Sequence, residues 1–329
     1  MIRLFAALVV AALIAACTSA PQLPPASPTA SPSPAATGST APSPPPSGDL
    51  PTDPAASPTP TTAPSPSPTP AATGIEGELV APGVLTACVA VVGSPAAGLT
   101  EEGQLEGYNV AFATELASRL GLEIDVQQPL FEDLIEQVSS HACDISVSSQ
   151  NITSARSAEV SFVPYTRSSQ PVVVEVGNPE SIYTLEDLCG LTVSTTAGTT
   201  HVDLVEGTGD YVGQGINDQC AAGGGEGIEL LSFQSELEAV TALLDGDAVA
   251  YLGNPSFVFD FPDQIVYSEA DLPPAQQGIS VALDHPNLLA SIESALAAMI
   301  GDGVYRGILV EYLPNEESVD AISIQEAAL

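Results

Sequence analysis

Residues 143–165, CDISVSSQNITSARSAEVSFVPY, decide how this chain is read. Residues 143–147 have the apolar character of a strand covered on both faces, and they run directly into a cluster of hydroxyl and amide side chains: Ser148, Ser149, Gln150, Asn151 and Thr153. Arg156 follows. A buried strand of that kind belongs to a parallel sheet. An arginine just beyond it presents a planar fork of donors that fits a carboxylate, with neighbouring hydroxyls and backbone N–H groups to complete the coordination. The competing reading is a surface arginine on a solvated turn, and the remainder of the chain discriminates between the two.

Upstream, 84–92 is an apolar strand containing Cys88, followed by a Gly/Pro-rich loop over 93–107. The spacing of Val110, Ala113, Leu116, Ala117 and Leu120 predicts a helix over 108–120, stopped by Gly121. A strand over 123–126 and a helix over 131–140 then lead back to Cys143. The pattern restarts downstream. Strands are expected at 171–176, 191–195, 228–232 and 248–252, with helices at 184–188, 200–206 and 235–244 between them. A strand at 278–283 and helices at 287–300 and 304–312 close the chain. Alternating strands and helices predict an α/β fold with mixed, mainly parallel sheets.

The ends of the chain say where it goes. Leu4 to Ala16 is an apolar run behind Arg3, too short to span a bilayer, so 1–16 reads as a signal peptide. Small residues before Cys17 resemble a bacterial lipobox, which implies a lipid anchor on Cys17. Residues 17–74 are almost wholly Pro, Ser, Thr, Ala and Gly, a composition that cannot bury enough apolar surface to order itself. As a tether it reaches roughly 40 Å as a coil. The expected location is extracytoplasmic, on the outer face of the cytoplasmic membrane.

The chain has 41 acidic residues against 5 basic ones and a formal net charge of −36. Such a surface repels nucleic-acid phosphates, so nucleic acid is excluded as a partner. Besides Cys17 there are Cys88, Cys143, Cys189 and Cys220, an even set without a C-x-x-C spacing, which in an exported chain favours disulfides. Three connectivities are possible. Cys88 and Cys143 fall on strands of the first unit and Cys189 and Cys220 in the second, so those two pairs are predicted. His141, His201 and His285 are scattered along the sequence, and no metal or cofactor is expected. No nucleophile motif is present.

The ordered pieces resemble the bacterial extracellular solute-binding proteins of family 3, the periplasmic amino-acid-binding type. The resemblance is carried by Gly107-Tyr108-Asn109-Val110, Cys143-Asp144-Ile145, Ile152-Thr153-Ser154-Ala155-Arg156 and Phe162-Val163-Pro164-Tyr165. It continues through Leu185-Glu186-Asp187-Leu188, Ala197-Gly198-Thr199-Thr200, Asp245-Gly246-Asp247 and Asp302-Gly303-Val304-Tyr305. It implies a two-lobed type II clamshell. Lobe one would comprise 75–168 with 278–329, lobe two 173–272, and the hinge 169–172 with 273–277. Arg156 would grip a ligand carboxylate, helped by Ser148, Ser149 and Asn151, while Thr199 and Thr200 supply donors from the opposite lobe, where a helix start favours an anion. Asn254 stands where relatives that bind amino acids carry an aspartate for the ammonium group, so the amine half of the site departs from the family pattern.

The resemblance therefore implies a monomeric receptor that captures a small carboxylate-bearing solute, an amino acid or a relative, for an ABC importer and its permease. A dehydratase-like enzyme on the same scaffold and a ligand-sensing subunit of a signalling system are the alternatives. The chain is not expected to be an enzyme, because no acid–base pair is evident.

Overall fold

The computed structural model describes residues 74–255, 257–313, 319–320 and 322–324. The expected signal peptide, Cys17 and the tether up to residue 73 lie outside the described residues.

The first half is built as the spacing predicts. Strand β1 (Val84–Cys88) is followed by a small ribbon, β2 (Gly98–Leu99) with β3 (Leu105–Glu106), then helix α1 (Tyr108–Leu120), β4 (Glu123–Gln127) and α2 (Leu134–Ser139). Gly121 ends α1 in the left-handed region at φ 71°, where a residue without a Cβ is at no disadvantage. Strand β5 (Ile145–Asn151) comes next, and all seven of its residues are buried. It is shifted relative to the expected 143–147: the polar cluster lies inside the strand rather than beyond it. Backbone pairing on both edges, to β1 and to the last strand of the sheet, holds these hydroxyls and amides in extended geometry.

After the one-turn helix α3 (Ser154–Ser157) the chain enters a strand far longer than expected, β6 (Val160–Glu175). It is followed by β7 (Thr192–Thr196), α4 (Thr200–Glu206), α5 (Ile216–Ala222), β8 (Glu229–Phe233), α6 (Glu236–Leu244), β9 (Ala250–Leu252) and the short α7 (Phe257–Asp260). The second long strand is β10 (Ile265–Ala282), and helices α8 (Pro286–Asp302) and α9 (Val304–Tyr312) complete the described fold. Helix α5, which carries Cys220, escaped the sequence pattern. It is a seven-residue segment in a Gly-rich stretch, with too few apolar positions to display a period.

Eight strands form one sheet in the order β4-β1-β5-β10-β6-β9-β7-β8. The outer triplets are parallel, whereas β10 and β6 pair antiparallel from Ile265↔Glu175 to Ala282↔Val160. At about 3.3 Å per residue these two strands, roughly 50 Å and 60 Å long, can belong to both ends of the sheet. Pattern reading missed their inner parts because Pro164, Pro171, Pro273 and Pro274 look like breaks. The ladder accommodates them at register shifts between Tyr267/Asp271, Leu272/Ala275 and Gln277/Gly278.

Each end of the sheet has its own core. Leu85, Phe112, Leu116, Ile145, Val163, Ile279, Leu288 and Leu296 pack together at one end. At the other, Val172 and Val174 join Val193, Leu204 and Leu252 on one face, while Val173 joins Val240, Leu243, Tyr251 and Ile265 on the opposite face. The alternation along β6 is the period of two of a strand buried on both sides.

The disulfides are Cys88–Cys143, tying β1 to the start of β5, and Cys189–Cys220, tying the turn before β7 to α5. They close separations of 55 and 31 residues; by loop entropy each contributes about 4 kcal/mol. Among the described residues no single helix is long and apolar enough to cross a membrane.

Candidate ligand-binding site

The C-terminal end of β5 delivers Asn151 to the gap between the two ends of the sheet. There Thr153 accepts the Arg156 N–H on its hydroxyl at 3.1 Å, capping α3 and setting the direction of the arginine side chain. The guanidinium of Arg156 reaches across. Its Nη1 donates to the Asn151 carbonyl at 2.7 Å and its Nη2 to the Gly198 carbonyl at 2.8 Å, while the carbon of the fork sits 5.7 Å from the centre of the Phe131 ring. Burial lowers its pKa to about 10, partly offset by Asp203, so the group stays cationic at neutral pH.

The facing wall is the turn between β7 and α4. Gly198 lies at φ 72°, and a Cβ there would come 2.7 Å from the Cα of Glu132. Both the backbone conformation and this close approach require glycine. Thr199 is tied into the turn, donating to the Thr196 carbonyl at 2.7 Å. Thr200 accepts a hydrogen bond from Asn151 Nδ2 at 2.8 Å, a second bond across the gap.

Ser148 and Ser149 stand behind this pair in an internal network. Ser148 Oγ accepts the Ala90 N–H at 2.9 Å. Ser149, at φ 52°, donates its N–H to the Tyr165 hydroxyl at 2.8 Å and accepts from Asn109 Nδ2 at 3.1 Å. A serine held in the left-handed region is uncommon and is kept there by these surrounding bonds.

Ser148, Ser149, Asn151, Arg156, Thr199, Thr200 and Asn254 all line one cavity of about 40 Å³. The same cavity is lined by residues that sequence reasoning passed over, chiefly His201 and Glu236. Glu236, at the start of α6, is only 3% exposed. The Tyr251 hydroxyl donates to its Oε2. Burial raises its pKa to about 8, against the opposing pull of the Asn254 backbone N–H. Among the described residues it has no cationic partner. His201 is buried with neither ring nitrogen bonded, and burial, followed by the charge of Arg156, lowers its pKa to about 4.

A signal for Glu236 was present. Glu236, Ala239, Val240 and Leu243 occupy positions i, i+3, i+4 and i+7 of α6 and are all buried, so the acid stands on the apolar stripe. Next to it, Glu238 does the ordinary capping work with Ser235. The remaining histidines are not scattered in space: His141 and His285 stack at 4.5 Å beside Asp284.

Known proteins resemble this chain in sequence and in fold. The family model of bacterial extracellular solute-binding proteins, family 3, matches residues 85–315. The probable ABC transporter arginine-binding protein ArtJ of Chlamydia trachomatis serovar D is 25% identical over 212 residues, covering 62% of this chain and 76% of that protein. The L-cystine-binding protein TcyJ of Escherichia coli strain K12 is 22% identical over 213 residues, covering 63% and 74%. Among solved structures, a mutant of ArgBP from T. maritima superposes with a TM-score of 0.62 at 28% identity, over 74% of this chain and 98% of that one.

Proposed function

Because the chain belongs to the bacterial extracellular solute-binding proteins of family 3, we propose that it is a receptor for a small carboxylate-bearing solute, an amino acid or a relative, and serves an ABC importer. It acts as a monomer outside the cytoplasmic membrane, held there by lipid on Cys17 and hung clear of the surface by the tether. Curated relatives named as arginine- and cystine-binding proteins support the substrate class.

The observation that carries the reading is the meeting of two walls at Arg156. The arginine belongs to the wall built by β5 and α3, yet it bonds to Gly198 on the wall built by β7 and α4. Two of its N–H donors go to carbonyls and three remain for a ligand. A carboxylate entering the gap meets those donors on one side and the Thr200 hydroxyl on the other, beside the turn that Thr199 braces through the Thr196 carbonyl. Closure around it removes water, and the lower local dielectric strengthens each of these bonds.

Lobe one is 75–168 with 278–329, lobe two is 173–272, and the hinge is 169–172 with 273–277. The register shifts at Tyr267/Asp271 and Leu272/Ala275 support that placement, since they interrupt the ladder of the crossing ribbon where it has to bend. The closed shape is what the permease recognises.

A thermal-shift screen of the exported chain against amino acids, hydroxy acids, keto acids and polyamines tests the reading. Compounds with a carboxylate should raise the melting temperature. Stabilisation by polyamines alone, with every carboxylate inactive, would remove Arg156 from the ligand site.

A further inference from the structure

The cavity that Arg156 enters also holds a carboxyl group that no part of the carboxylate reading uses. Glu236 is enclosed by α6, β9 and the loop after β9, with the Tyr251 hydroxyl on Oε2 and the Asn254 backbone N–H as its second donor. These bonds fix where the carboxyl points. The neighbouring sequence makes room for the arrangement: a side chain at Gly253 would run into the Tyr251 ring, so the space beside this loop belongs to the tyrosine and the glutamate it holds. The charged and titratable groups sharing the cavity are Arg156 and His201. Thr196 on β7 and Glu238 on α6 are the other polar side chains nearby, and Glu238 is engaged at the helix cap.

A carboxyl buried without a cationic partner is disfavoured as an anion, because removing a charge from water without compensation is costly. It keeps its proton until a cation arrives. A buried acid and a half-buried guanidinium lining one small cavity are complementary to a ligand that carries both charges.

We propose that Glu236 is the cation acceptor of this site, exchanging its proton for an ammonium group of the ligand. The proposal rests on the reading of Arg156 as the carboxylate grip and extends it to the other end of the ligand. In the exchange, the Glu236 O–H bond breaks and its proton passes to solvent. The carboxylate left behind pairs with the ammonium, which keeps all of its own protons. Tyr251 positions the carboxyl. The uncharged form before binding agrees with the elevated pKa of this group, about 8. Capture of an α-amino acid is therefore coupled to release of a proton, and Asn254 contributes through its backbone rather than through the charge that an aspartate would bring.

Calorimetric titration of the exported chain decides the matter. The probes are three pairs differing only at the amine: L-alanine with L-lactate, L-leucine with L-2-hydroxyisocaproate, and L-glutamate with L-2-hydroxyglutarate. The amino member of at least one pair should bind tighter by ~100-fold, as expected for a buried charge pair. Titrations at neutral pH in buffers of different ionisation enthalpy should report about one proton released per amino acid and none per hydroxy acid. Glu236→Gln should bring the paired affinities together and abolish the proton release. The proton count in the unmodified protein stands even if that variant folds poorly. Equal affinities within every pair, or amino-acid binding without proton release, would overturn the Glu236 assignment and leave Arg156 in place. If neither member of any pair binds, the carboxylate reading fails and Glu236 falls with it.

Discussion

The two ionisable groups of the cleft are opposites in more than charge. Arg156 is a cation held by backbone: its donors rest on the carbonyls of Asn151 and Gly198, and burial leaves it charged at neutral pH. Glu236 is an acid held by a tyrosine and a backbone N–H, and burial leaves it largely uncharged. Arginine tolerates burial because its pKa starts so high that a large downward shift still leaves it protonated. A carboxyl has no such margin. One end of the site is therefore ready for its partner, while the other must give up a proton first.

The sharpest way to break this contrast is to remove the ready end. Arg156→Ala should weaken binding of any carboxylate ligand by about 2–5 kcal/mol, measured by calorimetry. An unchanged affinity would dissolve the distinction.

The unready end shows itself in stability against pH. Glu236 titrates in the folded state at about 8 instead of its ordinary 4.5. Between those values the folded chain keeps a proton that the unfolded chain has lost, so stability falls as pH rises. His201 works the other way: with a folded pKa of about 4 instead of 6.5, its contribution is lost as pH falls through that window. The two slopes oppose each other below 6.5, and above it only the loss from Glu236 remains. Urea melts should show ~2 kcal/mol less stability at about pH 8 than at about pH 6.5. Glu236→Gln should flatten that limb, and His201→Gln should leave a decline that begins at lower pH.

Smaller effects are expected where the walls touch. Gly198→Ala puts a Cβ against Glu132 and a non-glycine residue at φ 72°, which should cost the closed form ~1–2 kcal/mol and appear as weaker ligand binding. Thr200→Val removes the acceptor for Asn151 Nδ2. The loss should be ~1 kcal/mol, read as a severalfold higher dissociation constant with little change in melting temperature.

How much of this was legible beforehand depends on the range of the interaction involved. Helix α1 with its Gly121 stop and the amphipathic helix α6 are local, and the spacing of side chains reveals them. Arg156 could be picked out because arginine is so scarce here and because the polar cluster before it is contiguous. The long ribbon was only half legible, since its prolines look like breaks until a partner strand supplies the register shifts that accommodate them. Glu236 was hidden differently. In sequence it looks like an ordinary acid in the first turn of a helix, and only its place on the apolar stripe with Ala239, Val240 and Leu243 sets it apart from Glu238 two positions on.

The sequence by itself determined the class of fold, most of the order of the elements, the two disulfide pairs and the candidate grip on a carboxylate. All of these follow from periodicity, turn chemistry and the donor geometry of a single side chain. The tertiary structure alone decided that β6 and β10 join both ends into one sheet, that Arg156 reaches the Gly198 carbonyl, and that an acid 80 residues away shares its cavity. Burial and charge compensation depend on what the rest of the chain brings near a group. Whether a carboxyl is a solvated anion or a proton-bearing acid is therefore settled only once the chain has folded.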